Sequence, residues 1–556
     1  MKATKRIFSV FLTCVLAFTM AFAMGLTASA ADYTITITKP EGDIDRTYEA
    51  YQIFQGNLDG NTLSDIEWGT GIDGAAFLTE LKKNAPFTSC TDAKTVAEKL
   101  ATFENNSDGA VAFAKLAGKF LTTATGSATA TSSATGKITV PAAGYYLLKD
   151  VTDVTTPHDA LSLNILEVVK DVTVNPKADH PTVDKKIGTD ISTGVAANEA
   201  TIGDKVPFVI ASKVPQMQGY TKYFFVLNDS MTAGLTYNKD VAIKIGTTTL
   251  APTAYDVTYD DTANTMKIVI KDFIQYKSEA GKDIVVTYSA TLNEKADLTQ
   301  AGNKNTVKLT YSNNPNVDYK GGNEPDSTDP VGETPEHVTV TYSTQLQLTK
   351  VDGKDKSKLE GVEFQITGTS IKTAVSKGEY FKQDAAGTYY QLKDGTFTET
   401  APTTETESKY VSTSVKYAKV TDTAEQTKMQ KVTASGTTDK NGLITFKGLG
   451  AGTYYITELK TLGGYNLLTA PIIVEITATP GTTSCTWTAK VNGENATFED
   501  DMVKLTVENN KGSVLPITGG IGTTIFYVIG GLLVCGAVVM AITKKKLSVE
   551  DKADQN

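Results

Sequence analysis

Apolar and polar residues alternate with period two over much of this chain, as in Tyr33-Thr-Ile-Thr-Ile, Ile284-Val-Val-Thr-Tyr-Ser and Leu346-Gln-Leu-Thr-Lys. Successive side chains of a strand point to opposite faces, so such runs predict strands with one face buried and one wet. Threonine, valine, isoleucine and tyrosine carry the alternation, and clusters of Gly, Asn, Asp and Pro interrupt it, which predicts antiparallel strands joined by turns. The expected fold is mainly β, a tandem array of immunoglobulin-like β-sandwich domains. Residues 75–121 depart from the pattern. There Phe77, Leu81, Val96, Leu100, Val111 and Leu116 recur at mixed helical spacing among alanines, which predicts one or two helices inserted in the first domain.

The ends read differently from the middle. Lys2, Lys5 and Arg6 precede an apolar run that closes on Ala28-Ser29-Ala30, the layout of a secretory signal peptide over residues 1–30. Residues 521–543 are uncharged and long enough to span a bilayer, and Lys544, Lys545 and Lys546 follow as an inside-facing cluster, leaving 544–556 as a cytoplasmic tail. Between the ends, Asn175-Pro-Lys-Ala-Asp-His-Pro181 and the Pro- and Gly-rich stretch 313–335 mark boundaries. The expected domains are 31–176, 177–335 and 336–514, the last with a threonine-rich insertion between Gly368 and Gly436 whose role the sequence leaves open.

Composition then removes whole classes of chemistry. The 556 residues carry 53 Lys plus Arg against 63 Asp plus Glu, a formal charge of −10, which argues against a nucleic-acid partner. Arg6 and Arg46 are the only arginines, and three scattered histidines, His158, His180 and His337, leave little room for a metal site or a histidine-based triad. No cofactor, no metal and no enzymatic turnover are expected. With Cys14 in the leader and Cys535 in the apolar span, the exported part keeps only Cys90 and Cys485, in different expected domains. A large secreted protein without a disulfide framework needs another source of stability.

Immediately before the apolar span stands Leu515-Pro516-Ile517-Thr518-Gly519. Together with the span and the lysine cluster it resembles the LPXTG sorting signal of Gram-positive surface proteins. That resemblance implies cleavage by a sortase between Thr518 and Gly519 and transfer of the threonyl group to an amine, with a membrane-anchored precursor ending on the cell wall.

Lysine, carboxylate and asparagine supply the remaining candidate chemistry. Leu346, Leu348 and Lys350 share one strand face, as do Leu505, Val507 and Asn509. Between them lies Gly452-Thr-Tyr-Tyr-Ile-Thr-Glu458-Leu-Lys-Thr-Leu-Gly-Gly-Tyr465. This combination resembles the Cna B-type repeat, whose opening lysine and closing asparagine build an intramolecular isopeptide bond beside the glutamate of the box. The resemblance implies Lys350 as nucleophile, Asn509 as acceptor and Glu458 as the promoting acid. Burial would favour a neutral amine and a protonated carboxyl, the forms such a reaction needs.

The second domain repeats the logic. Val183, Lys185 and Ile187 share a face, which favours Lys185 over Lys186 as the inward lysine. The segments around Phe225-Val-Leu-Asn-Asp229 and Gly302-Asn-Lys-Asn305-Thr-Val-Lys-Leu-Thr-Tyr-Ser-Asn313 resemble the middle isopeptide domain of major pilins, which implies Lys185, Asp229 and Asn305. Asn313 stays open as an alternative acceptor, because it follows the same Lys-Leu-Thr string as Asn509. The first domain has only Gly144-Tyr-Tyr-Leu-Leu-Lys-Asp150, with the acid displaced by one position, and no bond is expected there.

At the end of the first domain, Val172-Thr-Val-Asn-Pro-Lys177 resembles the pilin motif Val-x-Val-Tyr-Pro-Lys, with asparagine in place of tyrosine. The whole chain thus resembles the SpaA-type backbone pilins assembled by sortases. That implies Thr518 of one subunit joined to Lys177 of the next, an open head-to-tail fibre that supports adhesion. The implied partners are a class C-type pilin sortase, a housekeeping sortase, identical subunits, accessory tip or base pilins, and peptidoglycan. A monomeric LPXTG-anchored adhesin is the competing reading.

Overall fold

The computed structural model describes residues 32–512, apart from 40–43, 105–106, 155–159, 169, 177–179, 371–372, 377–378, 385, 393–395, 411–412, 414–415 and 423–431. The described chain is mainly β, in tandem immunoglobulin-like units. The expected leader, sorting motif and apolar span all lie outside the described residues. Among the described residues no helix is long and apolar enough to cross a membrane.

In the first unit, strand Arg46–Asp59 is the hub of a five-stranded sheet, pairing with Thr62–Trp68, Gly126–Ala130 and Gly144–Asp150, the last of which pairs on to Leu163–Val168. A second sheet centres on Tyr33–Ile37, antiparallel to Gly136–Val140 and parallel to Val172–Val174. Ile35, Ile37, Tyr48, Ala50, Tyr146 and Leu148 form a core of buried, alternating positions. Where one or two helices were expected there are three, Gly74–Leu81, Ala93–Leu100 and Asp108–Ala117. Each begins at a side-chain cap: Asp73 accepts from Ala76 N–H, Asp92 from Thr95 N–H, and Ser107 from Ala110 N–H. Their inward faces bring Phe77, Val96 and Phe113 onto the sheet, where the Phe77 and Phe113 rings meet edge to face at 5.3 Å.

The middle unit is a sandwich of a six-stranded and a seven-stranded sheet. Strands Asp184–Ile187, Lys205–Lys213 and Asp283–Leu292 are neighbours in the first; Phe225–Met231, Asn303–Ser312 and Thr265–Ile270 belong to the second. Alternating residues such as Val206, Phe208 and Ile210 fill the space between the sheets. The stretch 313–335 does not detach the next unit. It loops out, returns as Val331–Glu333 beside Asn303–Ser312, and is followed by His337–Tyr342, which also pairs into that sheet. Backbone pairing of the middle unit therefore runs past the expected boundary at 335. Val340 and Tyr342 nevertheless pack into the third core, because that strand lies between the two units.

The third unit stacks a four-stranded sheet on a six-stranded one. Its first strand, Thr344–Asp352, runs parallel to its last, Met502–Asn509, and antiparallel to Leu443–Leu449. The facing sheet contains Glu363–Ser370, Gly452–Lys460, Ile472–Pro480 and Cys485–Val491. The threonine-rich insertion carries its own small sheet, Thr373–Ser376, Glu379–Gln383 and Tyr417–Val420, and a short pairing of Tyr390–Gln391 with Phe397–Thr398. Phe381 and Phe397 stack there at 4.0 Å between centroids. Cys90 and Cys485 are both free and buried.

Candidate functional site in two buried lysine, carboxyl and asparagine clusters

In the middle unit the inward face of Asp184–Ile187 carries Lys185, whose side chain is 0% exposed. Its Nζ donates to Asp229 Oδ2 at 2.5 Å and to Asn305 Oδ1. Lys185 comes from one sheet of the sandwich, whereas Asp229 and Asn305 come from adjacent strands of the other, paired so that Met231 stands opposite Asn305. Phe208 and Tyr288 flank the ammonium position, each ring centroid 5.5 Å from Nζ. Removal from water pushes the Lys185 amine down to about 8, against the opposing attraction of Asp229, and pushes the Asp229 carboxyl up. Both shifts favour the uncharged pair. Lys186 is only half-buried, and Asn313 is buried away from Lys185, its carbonyl accepting from Leu161 N–H at 2.8 Å.

The third unit arranges the same residue types differently. Lys350 and Asn509 lie on adjacent parallel strands of one sheet, with Asp352 opposite Asn509 and Lys350 opposite Val507. Lys350 Nζ donates to Asn509 Oδ1 at 2.5 Å, and Glu458 reaches in from the facing sheet with Oε1 3.5 Å from Nζ. The Lys350 and Glu458 side chains are both 0% exposed, and burial lowers the Lys350 pKa. Asn509 Nδ2 donates to Glu458 Oε1 at 2.7 Å and to Thr461 Oγ1 at 2.6 Å, while Glu458 Oε2 accepts from Leu468 N–H at 2.8 Å. The loop after the box, through Thr461 and Leu468, thus folds back onto both the glutamate and the asparagine.

In each cluster a lysine nitrogen touches the carboxamide oxygen of an asparagine beside a buried acid. The oxygen that each lysine nitrogen touches is bonded to the carboxamide carbon, so the fold keeps an amine and a carboxamide in contact in a dry site.

Sequence reasoning missed two contributors. Tyr288 bridges Asp229 and Asn305, with hydrogen bonds of 2.6 and 2.9 Å, and period two from Ile284 through Val286 already placed it on the inward face. Thr461 had no local signal, because it belongs to a loop. Apart from both clusters, Arg46, one of the two arginines of the sequence, is buried in the first unit with Nη1 2.9 Å from Asp150 Oδ2 and 2.8 Å from the Ala160 carbonyl. Lys177 and the motif Leu515, Pro516, Ile517, Thr518 and Gly519 lie outside the described residues. Among the described residues no group of His, Cys, Asp and Glu could hold a metal ion.

Residues 344–491 match the family model SpaA, a prealbumin-like fold domain, and residues 202–315 match that of the Gram-positive pilin backbone subunit 2, Cna-B-like domain. The chain is 27% identical over 407 residues to the trypsin-resistant surface T6 protein of Streptococcus pyogenes serotype M6, an alignment covering 66% of this chain and 70% of the relative. Its fold is similar to the solved structure of the T6 backbone pilin from serotype M6 Streptococcus pyogenes, with a TM-score of 0.52 and 16% identity, covering 87% of this chain and all of that one. The chain thus carries in tandem a region similar to the Gram-positive pilin backbone domain and one similar to the SpaA prealbumin-like domain, and it is similar over much of its length to a streptococcal surface protein.

Proposed function

We propose that this protein is the structural backbone subunit of a covalently polymerised cell-surface pilus, and that Lys185 with Asn305 and Lys350 with Asn509 form intramolecular isopeptide bonds. The observation that carries the second part is the pair of buried clusters, in which each lysine meets an asparagine carboxamide and a carboxyl group. In each, the lysine Nζ attacks the asparagine Cγ, the carbonyl electrons shift to Oδ1 and return, and ammonia leaves. Asp229 and Glu458 promote the step by holding and passing protons and by polarising the carboxamide. The event happens once per molecule, so it is maturation rather than turnover.

Polymerisation follows from the ends of the chain. A pilin sortase cleaves between Thr518 and Gly519 and transfers the threonyl carbonyl to Lys177 of the next subunit, giving an open filament. A housekeeping sortase then attaches the fibre to peptidoglycan, with accessory pilins at tip or base. What supports this reading is the pair of pilin-type domain matches together with the sorting-type motif at 515–519 and the pilin-type Pro176-Lys177 pair. Cell-wall extracts boiled in detergent should contain a high-mass ladder that Lys177→Ala abolishes. A ladder that persists in the variant removes Lys177 from assembly.

A further inference from the structure

The two clusters differ in one respect that bears on the departure of ammonia. In the third unit the promoting carboxyl touches the leaving nitrogen directly, through the 2.7 Å contact between Glu458 Oε1 and Asn509 Nδ2. In the middle unit Asp229 reaches Lys185 Nζ, but the hydrogen bond made by Asn305 Nδ2 is to Tyr288 Oη, at 2.9 Å. Tyr288 Oη in turn lies 2.6 Å from Asp229 Oδ2. An unbroken line therefore runs from the attacking nitrogen through Asp229 and the phenol to the leaving nitrogen.

We propose that Tyr288 is a catalytic residue of the middle unit, a proton relay that delivers to Asn305 Nδ2 the proton released by Lys185. The inference rests on the isopeptide reading above. The step balances as follows. The Nζ lone pair forms the new bond to Asn305 Cγ, and the carbonyl pair moves to Oδ1. Asp229, protonated at the outset, gives its proton to Tyr288 Oη as the phenol gives its own to Nδ2. Nζ, now carrying one proton too many, then returns a proton to Asp229 Oδ2. The pair on Oδ1 re-forms the carbonyl, the bond between Cγ and Nδ2 breaks, and its electrons leave with neutral ammonia. Asp229 and Tyr288 end in the protonation state in which they began.

Three further features fit a relay. Tyr288 is almost wholly buried, so no bulk water supplies the proton in its place. Burial and the neighbouring Asp229 raise the phenol pKa well above its ordinary value, so the hydroxyl keeps its proton at neutral pH. The ring is fixed on both sides, stacked on Phe208 at 5.4 Å and edge-on to Tyr237 at 6.1 Å, which holds Oη between its two partners. General acid catalysis of this kind contributes roughly a hundredfold or more to a rate.

The test is a time course on the full chain after pulsed synthesis, with peptide mapping of the Lys185–Asn305 and Lys350–Asn509 cross-links. In Tyr288→Phe the first should form roughly a hundredfold more slowly, while the second forms at the wild-type rate and serves as internal control. Replacing Tyr288 by 3-fluorotyrosine keeps the hydroxyl and the packing and should restore bonding, at a rate altered by the more acidic phenol. A Tyr288→Phe chain that bonds at the wild-type rate overturns the relay. Should that variant fail to fold, an unchanged rate in the fluorotyrosine chain overturns it equally. Absence of the first cross-link from the wild type would instead sink the isopeptide reading of the middle unit.

Discussion

Arg46 and Asp150 form a buried ion pair in the first unit, Nη1 to Oδ2 at 2.9 Å, with side chains 1% and 0% exposed. They lie near the ends of two neighbouring antiparallel strands, and Asp150 also accepts from Ser162 N–H at 3.0 Å and from Ser162 Oγ. The displaced acid of the Gly-Tyr-Tyr echo has thus found an arginine where the other two units have a lysine. Arginine keeps its charge under any ordinary condition and offers no neutral amine, so this pair is a charge-assisted hydrogen bond with no route to amide formation. Arg46→Ala strands a buried carboxylate and should cost about 3 to 5 kcal/mol. Chemical denaturation followed by Trp68 fluorescence checks it, and a loss below about 1 kcal/mol would mean the pair is effectively solvated.

Lys185→Ala and Lys350→Ala should each raise the intact mass by one ammonia relative to wild type, after correction for the substitution. The closed loops span 120 and 159 residues in sequence separation. By the chain-entropy estimate each cross-link restricts the unfolded chain by about 5 kcal/mol. Urea unfolding of the two variants should therefore show separate losses of that order, one for each unit. Equal midpoints in variant and wild type would leave the bonds without a stabilising role.

Asn305→Ala leaves Lys185 as a free amine in the core. Its pKa of about 8 lies below the value of about 10.4 for an unfolded lysine, so between those values the unfolded chain binds more protons. Stability of this variant should rise by about 2 kcal/mol between pH 8 and pH 10, and the gain should be lost again as pH falls back toward 8. The bonded wild type has no titrating amine at this position. Urea midpoints at the two pH values compare them, and parallel pH dependence in both proteins would contradict a free, depressed Lys185 in the variant.

The junction between the middle and third units joins backbone groups of the third to backbone and side-chain groups of the middle. Ile202 N–H donates to the Gly448 carbonyl at 2.9 Å and Ala451 N–H to Glu199 Oε2 at 2.8 Å. Gly448 has φ of +72°, and a Cβ there would stand 2.1 Å from Ile202 Cδ1. Gly448→Ala should therefore cost about 1 to 3 kcal/mol and loosen the junction. Faster proteolysis near residues 337–343, with both unit cores still unfolding cooperatively, is the expected readout. Unaltered proteolysis would show that the contact does not restrain the two units.

Much of this architecture was legible because strands write a two-residue period into the chain. The inward positions of Lys185, Lys350 and Asn509 follow from it, each continuing a stripe of aliphatic residues. The same rule could not separate Asn305 from Asn313: they are eight residues apart on one extended run and share a face. Roughly 26 Å of strand lies between them, and only the packing of the two sheets decides which comes level with Lys185. Helix number failed for a related reason, since short capped helices in an alanine-rich segment leave breaks that periodicity does not resolve.

The sequence by itself determined the mainly β class and the residue types available for chemistry, because each is a property of local pattern or composition. Tertiary structure alone decided the company those residues keep. It brought Lys185 and Asn305 together from facing sheets and laid Lys350 and Asn509 on neighbouring parallel strands, with Glu458 opposite. It put Tyr288 between an acid and a carboxamide, Thr461 over Asn509, and Arg46 against Asp150. Contacts made across 17 to 159 residues of chain depend on how strands pair and sheets stack, and no local period encodes that distance.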